Sequence, residues 1–187
     1  MHILALSGSL RAASINSTLL RAAARLAEPD VQVHVSHCVG QLPLFNPDLD
    51  PTQQPAVCAL YAEVQAADAL LLASPEYAHG ISGAMKNALD WLVSFEPFVG
   101  KPVAVFNASP RAHIADAALR EVLKTMSATI VEAASISIPL LGAHLSEDAM
   151  VADPVVSHSI RQALAALQQA ATPGPAGQDP AFPLNTF

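Results

Sequence analysis

The sequence carries little charge, and most of the charge it carries is negative. Charged residues make up 13% of its 187 residues, and nine Lys and Arg against sixteen Asp and Glu give a formal net charge of −7. Proteins that bind nucleic acid need a basic surface to neutralise phosphates, so this balance argues against a nucleic-acid partner. Apolar residues reach 52%, which is typical of a folded globular protein and excludes a disordered chain.

Cysteines and long apolar runs are also scarce. The two cysteines, Cys38 and Cys58, are too few for a disulfide framework, so we expect a cytoplasmic protein. No apolar run reaches the roughly 18 residues of a membrane span, and the N-terminus has no signal-peptide pattern, so no membrane partner is expected. His34, His37 and Cys38 lack a fourth ligand nearby, and no metal site is predicted.

The chain length fits a single folded domain, which we place at residues 1–171. The segment that follows, residues 172–187, is rich in Pro and Gly and is predicted to be a flexible C-terminal tail. Within the domain, short apolar runs alternate with segments whose apolar residues recur at helical spacing. This alternation predicts an α/β fold with a parallel sheet and helices on both of its faces.

Five strands are predicted, at residues 3–6, 31–35, 69–73 and 103–106 and within 129–138. The natural strand order is 2-1-3-4-5, which makes a three-layer sandwich around a five-stranded parallel sheet. Ligands of such sheets bind beyond the carboxyl ends of the strands, where the order reverses between strands 1 and 3. The unusual loops that follow strands 1, 3 and 4 are therefore expected to meet at one binding site.

Loop one, residues 7–17, predicts a phosphate site. It joins a strand to the start of a helix, so backbone N–H groups and the positive end of the helix dipole point to one place. Arg11 adds a charged fork that suits phosphate oxygens. The alternative is that Ser14 or Asn16 only caps the helix and that Arg11 is a solvated loop residue. The neutral donors of the loop are Ser7, Ser9, Ser14, Asn16 and Ser17.

Loop two, residues 74–83, and loop three, residues 107–113, favour contacts with a flat ligand. In loop two, Pro75 is rigid, the glycines are permissive, and Tyr77 could lie against an aromatic ring. Loop three supplies small residues and amides, among them Ser109. A phosphate anchor at one end and contacts to a flat ring at the other describe flavin mononucleotide (FMN).

Two side chains of loop two have more than one interpretation. Glu76 is either an acceptor at the edge of the ligand or a carboxylate that accepts from nearby backbone, and the second interpretation is favoured. His79 is either a proton donor or, as is commoner for a lone loop histidine, part of the polar surface.

Three motifs in this arrangement resemble those of the NADPH-dependent FMN reductase family, which includes bacterial quinone, chromate and azo-dye reductases of flavodoxin-like fold. The resemblance covers about residues 1–139. It implies a bound FMN, hydride transfer from NADPH or NADH, and two-electron delivery to a quinone or a similar small-molecule acceptor. It also implies a homodimer or homotetramer. The motifs are Ser7-Gly8-Ser9-Leu10-Arg11-x-x-Ser14-x-Asn16, Pro75-Glu76-Tyr77 and Gly83-x-x-Lys86-Asn87-Ala88-x-Asp90-Trp91.

By position, the resemblance implies two sets of cofactor-binding residues. The set for the phosphate is Ser9, Arg11, Ser14, Asn16 and Ser17. The set for the isoalloxazine ring is Pro75, Glu76, Tyr77, His79 and Gly80, with Ser109 on the pyrimidine side. No side chain is assigned a catalytic role, because the chemistry belongs to N5 of the flavin.

The resemblance also leaves some roles open. Either Arg11 or Arg111 could meet the 2′-phosphate of NADPH. Lys86 and Asp90 are four residues apart and could pair, while Asn87 and Trp91 are expected to brace loop two or a subunit contact. Relatives carry a glycine-rich continuation of loop three, whereas this chain has residues 111–114, Arg-Ala-His-Ile, on the side where substrate would approach.

Two other functions compete with a reductase. A flavodoxin-type electron carrier would bind FMN without turning over NAD(P)H, but its ring is usually sandwiched by aromatics, and Tyr77 is the only obvious candidate in these loops. A phosphatase of the same topology would need a loop cysteine before an arginine, and a phosphate-signalling domain would need acidic residues after strand 1. This chain has serines there, and neither cysteine is suitably placed.

Overall fold

Strands and helices alternate along the computed structural model, which describes residues 1–140 and 145–172. The elements, in chain order, are β1 (His2–Ser7), α1 (Ile15–Leu26), β2 (Gln32–Val35), α2 (Pro55–Ala66), β3 (Ala69–Ala73), β4 (Glu76–Tyr77), β5 (Gly80–Ile81), α3 (Gly83–Leu92), β6 (Pro102–Asn107), α4 (His113–Thr125), β7 (Thr129–Ile130), β8 (Ile136–Ser137), α5 (Glu147–Ala152) and α6 (Pro154–Ala171).

The central sheet has the order β2-β1-β3-β6, with β7 and then β8 pairing along the outer side of β6. Every pair in it is parallel. The predicted order 2-1-3-4-5 is therefore confirmed, with β6 as the fourth strand and β7 and β8 together as the fifth. The carboxyl ends of β1, β3 and β6 lie side by side, which brings loops one, two and three to the same edge of the sheet.

Two apolar cores flank the sheet and make the predicted three layers. Ala69, Leu71 and Ala73 of β3 face the core formed with α1, α5 and α6, while Leu70 and Leu72 face the core formed with α2, α3 and α4. This alternation follows from the two-residue period of a strand. All five residues of β3 are buried, as expected for the centre of a parallel sheet that is covered on both faces.

The fifth strand is split, where a single strand within residues 129–138 was predicted. A turn at Glu132–Ala134 separates β7 from β8. Ser135 bridges the gap, because its hydroxyl accepts a hydrogen bond from the N–H of Val105 at 3.1 Å and donates one to the carbonyl of Val131 at 3.0 Å. The side chain thus satisfies a backbone donor of β6 that an uninterrupted strand would have paired.

The connection after the fifth strand also differs from the prediction of an irregular segment at residues 139–153. It contains the short helix α5, whose first N–H groups are capped by Ser146 through a bond from the N–H of Ala149. Glu147 and Asp148 in the first turn form ion pairs with Arg21 and Arg25 of α1. These ion pairs hold α5 against the second half of α1.

The polar face of α3 braces a different segment from the one predicted. Asn87 and Trp91 both donate to the carbonyl of Pro43 at 2.9 Å, and Asn87 also accepts from the N–H of Phe45 at 2.8 Å. These bonds do not brace loop two, the first of the two predicted roles, and the second, a subunit contact, stays a prediction. Lys86 and Asp90 form the predicted ion pair.

The ends of the predicted domain are only partly described. Helix α6 ends at Ala171, and the predicted tail at 172–187 lies, apart from Thr172, outside the described residues. The division into a domain at 1–171 and a tail thus stays a prediction. Over residues 1–140 and 145–172, no helix combines the length and the apolar character that crossing a membrane requires.

Candidate functional site

A cavity of about 640 Å³ lies where the three loops meet. Its volume falls within the range of roughly 300–1,000 Å³ that is typical of small-molecule sites. Residues from loop one, loop two and loop three line it, together with Leu140, Leu145 and Ser146 from the segment that leads into α5. The convergence of loops that the strand order predicts is therefore present.

Most of the residues predicted to bind a cofactor line this cavity: Ser9, Arg11, Ser14, Asn16, Pro75, Glu76, Tyr77 and Ser109. Ser17, His79 and Gly80 do not line it. The hydroxyl of Ser17 instead lies 2.8 Å from that of Ser7. His79 lies in the turn between β4 and β5, where its side chain is 77% exposed, and Gly80 begins β5.

Loop one and the start of α1 contain a run of backbone donors without partners, and five residues of this run line the cavity: Arg11, Ala13, Ser14, Ile15 and Asn16. Among the described residues, none of the N–H groups of residues 10–16 donates to a protein acceptor, whereas those of Ser9 and Ser17 are paired with the hydroxyls of Ser7 and Ser14. Helix α1 begins within this run, at Ile15, and has no acidic residue in its first turn. Free N–H groups at the positive end of a helix dipole bind anions.

Side chains of loop one add to these donors. Asn16 is only 5% exposed, yet its amide makes no hydrogen bond within the described part of the chain. Because Asn16 lines the cavity, this amide is available to a ligand there. Ser14 caps α1 by accepting from the N–H of Ser17 at 3.3 Å, as the alternative interpretation of the sequence proposed.

Gly8 allows loop one to lie directly against the start of α3. A Cβ at this position would fall 2.6 Å from the Ser74 hydroxyl, 2.7 Å from the Ser82 hydroxyl and 2.9 Å from the Cβ of Met85. The Ser82 hydroxyl donates to the Gly8 carbonyl at 2.6 Å and caps α3 by accepting from the N–H of Met85. Any larger residue than glycine would therefore push loop one away from α3.

Loop two contains a tight hairpin, β4 and β5, where only an irregular loop was predicted. The two residues of its turn, Ala78 and His79, both have positive φ values, of 49° and 58°. Two-residue hairpins need this left-handed conformation, which favours Gly and Asn and is costly for alanine. The Asn-Gly signal of such a turn is missing from the sequence, which is why the hairpin was not predicted.

Glu76 joins loop two to the helix that follows loop three. One of its carboxylate oxygens accepts from the N–H of Ala115 in the first turn of α4 at 2.8 Å, and the other lies 3.1 Å from Nδ1 of His79. Because the residue before α4, Ala112, has no capping side chain, Glu76 supplies the cap from a distance. The bond from Ala115, assisted by His79, lowers the pKa of Glu76 below its ordinary value. The favoured interpretation of Glu76 is thus confirmed.

Loop three owes its shape to Asn107, which was not singled out as a site residue. Its amide oxygen accepts from the N–H of Ser109 at 2.9 Å, and its nitrogen donates to the carbonyl of Ala112 at 3.3 Å. The arrangement leaves Ser109 and Arg111 on the cavity wall. Asparagine at the start of a turn is a signal that could have identified this role.

The sequence model of the protein family described as NADPH-dependent FMN reductase matches residues 1–140. The chain belongs to this family. The match includes all three loops of the cavity and ends at Leu140, where the segment that leads into α5 begins.

Individual members of the FMN reductase family give the same assignment. The chain is 40% identical over 112 residues to an NAD(P)H-dependent FMN reductase of Pseudomonas aeruginosa, a match over 58% of this chain and 60% of that protein. It is 32% identical over 113 residues to a quinone reductase of Escherichia coli, over 58% and 60% of the two proteins. The chain therefore spans about three fifths of the length of these relatives.

Solved structures are similar over most of the chain. The flavoenzyme FerB of Paracoccus denitrificans, an NAD(P)H:acceptor oxidoreductase, superimposes with a TM-score of 0.71 at 25% identity, over 90% of this chain and 98% of that one. A flavodoxin of Pseudomonas aeruginosa shares the fold with a TM-score of 0.56 at 16% identity, over 90% and 99% of the two chains. The fold of this FMN reductase family member is therefore flavodoxin-like.

The lowered pKa of Glu76 predicts how its replacement affects stability at different pH values. Since the pKa is depressed in the folded protein, the charge stabilises the fold above the ordinary value of 4.5. That contribution is lost as the pH falls through the depressed pKa. We expect Glu76→Gln to lower the free energy of unfolding at pH 7, and the deficit to shrink as the pH falls below about 5.

The measurement is urea unfolding of wild type and Glu76→Gln at several pH values between neutrality and the acid limit of the native state. Glu121→Gln is the matched control, because Glu121 lies on the exposed side of α4 and its carboxylate has no partner among the described residues. If both variants follow the same pH dependence, the Glu76 carboxylate does not cap α4 in solution.

Proposed function

We propose that this protein is an FMN-dependent NAD(P)H oxidoreductase that delivers two electrons to quinones or similar acceptors. The observation that carries the proposal is the run of free N–H groups in loop one, which meets Arg11 and Asn16 at one end of the cavity. This end suits a phosphate monoester, and the rest of the cavity is bordered by Tyr77 and Ser109. Family membership and the activities named for the relatives support the same function.

The residues present fit FMN. The phosphate would be held by the loop-one N–H groups and by the side chains of Ser9, Arg11, Ser14 and Asn16, since charge-assisted hydrogen bonds suit a phosphate. The ring would lie among Pro75, Glu76, Tyr77 and Ser109. Ser17 would support the site indirectly, through the hydrogen bond between its hydroxyl and that of Ser7. His79 and Gly80 would shape the β4–β5 hairpin. When bound, FMN supplies the redox chemistry by accepting a hydride and passing on two electrons.

The side chains of the cavity bind and orient the ligands and do not act as acids or bases. Glu76 accepts from the N–H of Ala115, which favours its ionised form and leaves it a poor proton donor. Arg11 and Arg111 line the same cavity with guanidinium groups, which offer only hydrogen-bond donors. Tyr77 is 58% exposed, so the cavity keeps an open side through which NAD(P)H and the acceptor can enter in turn.

The experiment that tests this function uses the purified full-length chain. We expect the protein to bind added FMN, to oxidise NADPH or NADH, and to reduce a soluble benzoquinone with parallel-line kinetics, because both substrates use one opening. Binding of FMN without oxidation of either nicotinamide would indicate a flavodoxin-type carrier instead. Failure of the folded protein to bind FMN at saturating concentration would contradict both functions.

Replacement of Arg11 is expected to lower the affinity for FMN through loss of a phosphate contact. We expect Arg11→Gln to weaken FMN binding roughly 10- to 100-fold, because it removes a charge-assisted hydrogen bond to the phosphate. Fluorescence titration of FMN gives the dissociation constant, and riboflavin, which lacks the phosphate, should bind wild type and variant alike. Lys124→Gln removes the same charge far along α4 and should leave FMN binding unchanged. An equal loss for riboflavin would contradict a phosphate contact.

We further propose that the protein forms a homodimer or homotetramer. Three exposed apolar side chains lie on or near α3. Leu10 packs against Gly40, Leu44 lies between the two residues that α3 binds, Pro43 and Phe45, and Val93 follows the last residue of α3. A protein with few charges gains stability by covering such side chains. Light scattering should give a mass of two or four times 19.5 kDa, and a monomer at micromolar concentration would contradict the proposal.

A cytoplasmic location is proposed for the same protein. Cys38 and Cys58 are both free thiols in the structure, which is the expected state in a reducing compartment. Fractionation of cells that express the chain, followed by immunodetection, tests this location, and recovery from a secreted or envelope fraction would contradict it.

A further inference from the structure

Basic side chains without a partner are concentrated at the cavity. The chain has nine Lys and Arg. Those that form ion pairs with carboxylates are Arg21, Arg25, Lys86, Arg120 and Arg161. Lys101 donates to the backbone at the end of α2. The remaining three, Arg11, Arg111 and Lys124, have no ionic or hydrogen-bonding partner within the described residues, and the first two line the cavity.

Arg11 and Arg111 reach the cavity from different loops. Arg11 lies in loop one after β1, whereas Arg111 lies in loop three after β6, and β3 separates these strands in the sheet. Neighbouring strands are about 4.8 Å apart, so the two loops start about 10 Å from each other. The anion site of loop one is complete without Arg111, because its N–H groups, Asn16 and Arg11 all come from the connection between β1 and α1 and from the first turn of α1.

Among residues 1–140 and 145–172, no carboxylate that lines the cavity is free to neutralise Arg111. Glu76 is the acidic residue that lines it, and its two oxygens are engaged by Ala115 and His79. In a protein with a net charge of −7, an anionic ligand meets a repulsive overall field. An unpaired guanidinium on the cavity wall gives that ligand a local attraction. An uncharged quinone would make no use of it.

We propose that Arg111 is a binding residue for a phosphate of the nicotinamide co-substrate. The inference rests on the proposed function, in which NADPH or NADH enters the open side of the cavity. A guanidinium offers the forked donors that suit phosphate oxygens. The loop holds the residue in place, because Asn107 fixes the turn and Nδ1 of His113 lies 3.1 Å from the Arg111 carbonyl.

Two phosphates of the co-substrate have the chemistry that Arg111 recognises. The 2′-phosphate occurs in NADPH and is missing from NADH, while the pyrophosphate occurs in both. We expect Arg111→Gln to raise KM by about tenfold and to leave kcat for the quinone reaction nearly unchanged. A rise for NADPH alone identifies the 2′-phosphate as the partner, and an equal rise for both nicotinamides identifies the pyrophosphate.

The experiment uses the FMN-loaded full chain with three variants and two readouts. Arg111→Gln removes the charge, Arg111→Lys keeps it and should restore part of the affinity, and Lys124→Gln is the control. Lys124 also lacks a partner among the described residues, but it lies 11 residues along α4 from His113, about 16 Å at 1.5 Å per residue. Steady-state KM values are compared with direct calorimetric titration of NADP⁺ and NAD⁺.

Several results would overturn the inference. Unchanged KM values and unchanged NADP⁺ and NAD⁺ affinities for Arg111→Gln would do so, as would the same loss in Lys124→Gln, which would indicate only a change in overall charge. Weaker FMN binding with unaltered nicotinamide affinity would place Arg111 at the flavin instead. A wild-type protein that binds FMN and oxidises NAD(P)H keeps the proposed function intact in each of these cases, whereas one that binds neither ligand ends both proposals.

Discussion

The close approach of loop one to the start of α3 is the constraint on which the site depends. Gly8 has no room for a side chain, and its carbonyl accepts from the hydroxyl of Ser82, which also caps α3. Ser82 thus fixes the end of β1, the end of loop two and the first turn of α3 relative to one another. This contact fixes the backbone of loop one, whose residues line the cavity, and such preorganisation reduces the free-energy cost of binding.

The other walls of the cavity are also held by contacts between segments that are distant in sequence. Glu76 of loop two caps α4, so loop two and loop three cannot move independently. The ion pairs of Glu147 and Asp148 with α1 hold the segment of Leu145 and Ser146 beside loop one. Each wall is therefore positioned by an element whose main contacts lie outside the cavity, which allows a rigid site to be built largely from loops.

The sequence predicts the sheet well because strand order follows from the succession of apolar runs, and buried runs such as β3 are easily recognised. It also predicts which loops meet, since the ends of neighbouring strands define one edge. It does not predict the hairpin at Ala78 and His79, because neither residue favours positive φ. It misses α5, which has six residues and is held by ion pairs to a distant helix. The cavity contacts of Leu145 and Ser146 were missed for the same reason.

The interrupted fifth strand has a consequence for how the sheet ends. An exposed edge strand offers unpaired backbone groups to which another chain can add, and long, flat edges promote aggregation. Here the outer strand consists of two pairs of residues, β7 and β8, with a turn between them and the hydroxyl of Ser135 bonded to the backbone in the gap. An edge this short and interrupted offers few consecutive backbone groups for pairing with a strand of another chain. The sheet is thereby protected against edge-to-edge aggregation on this side.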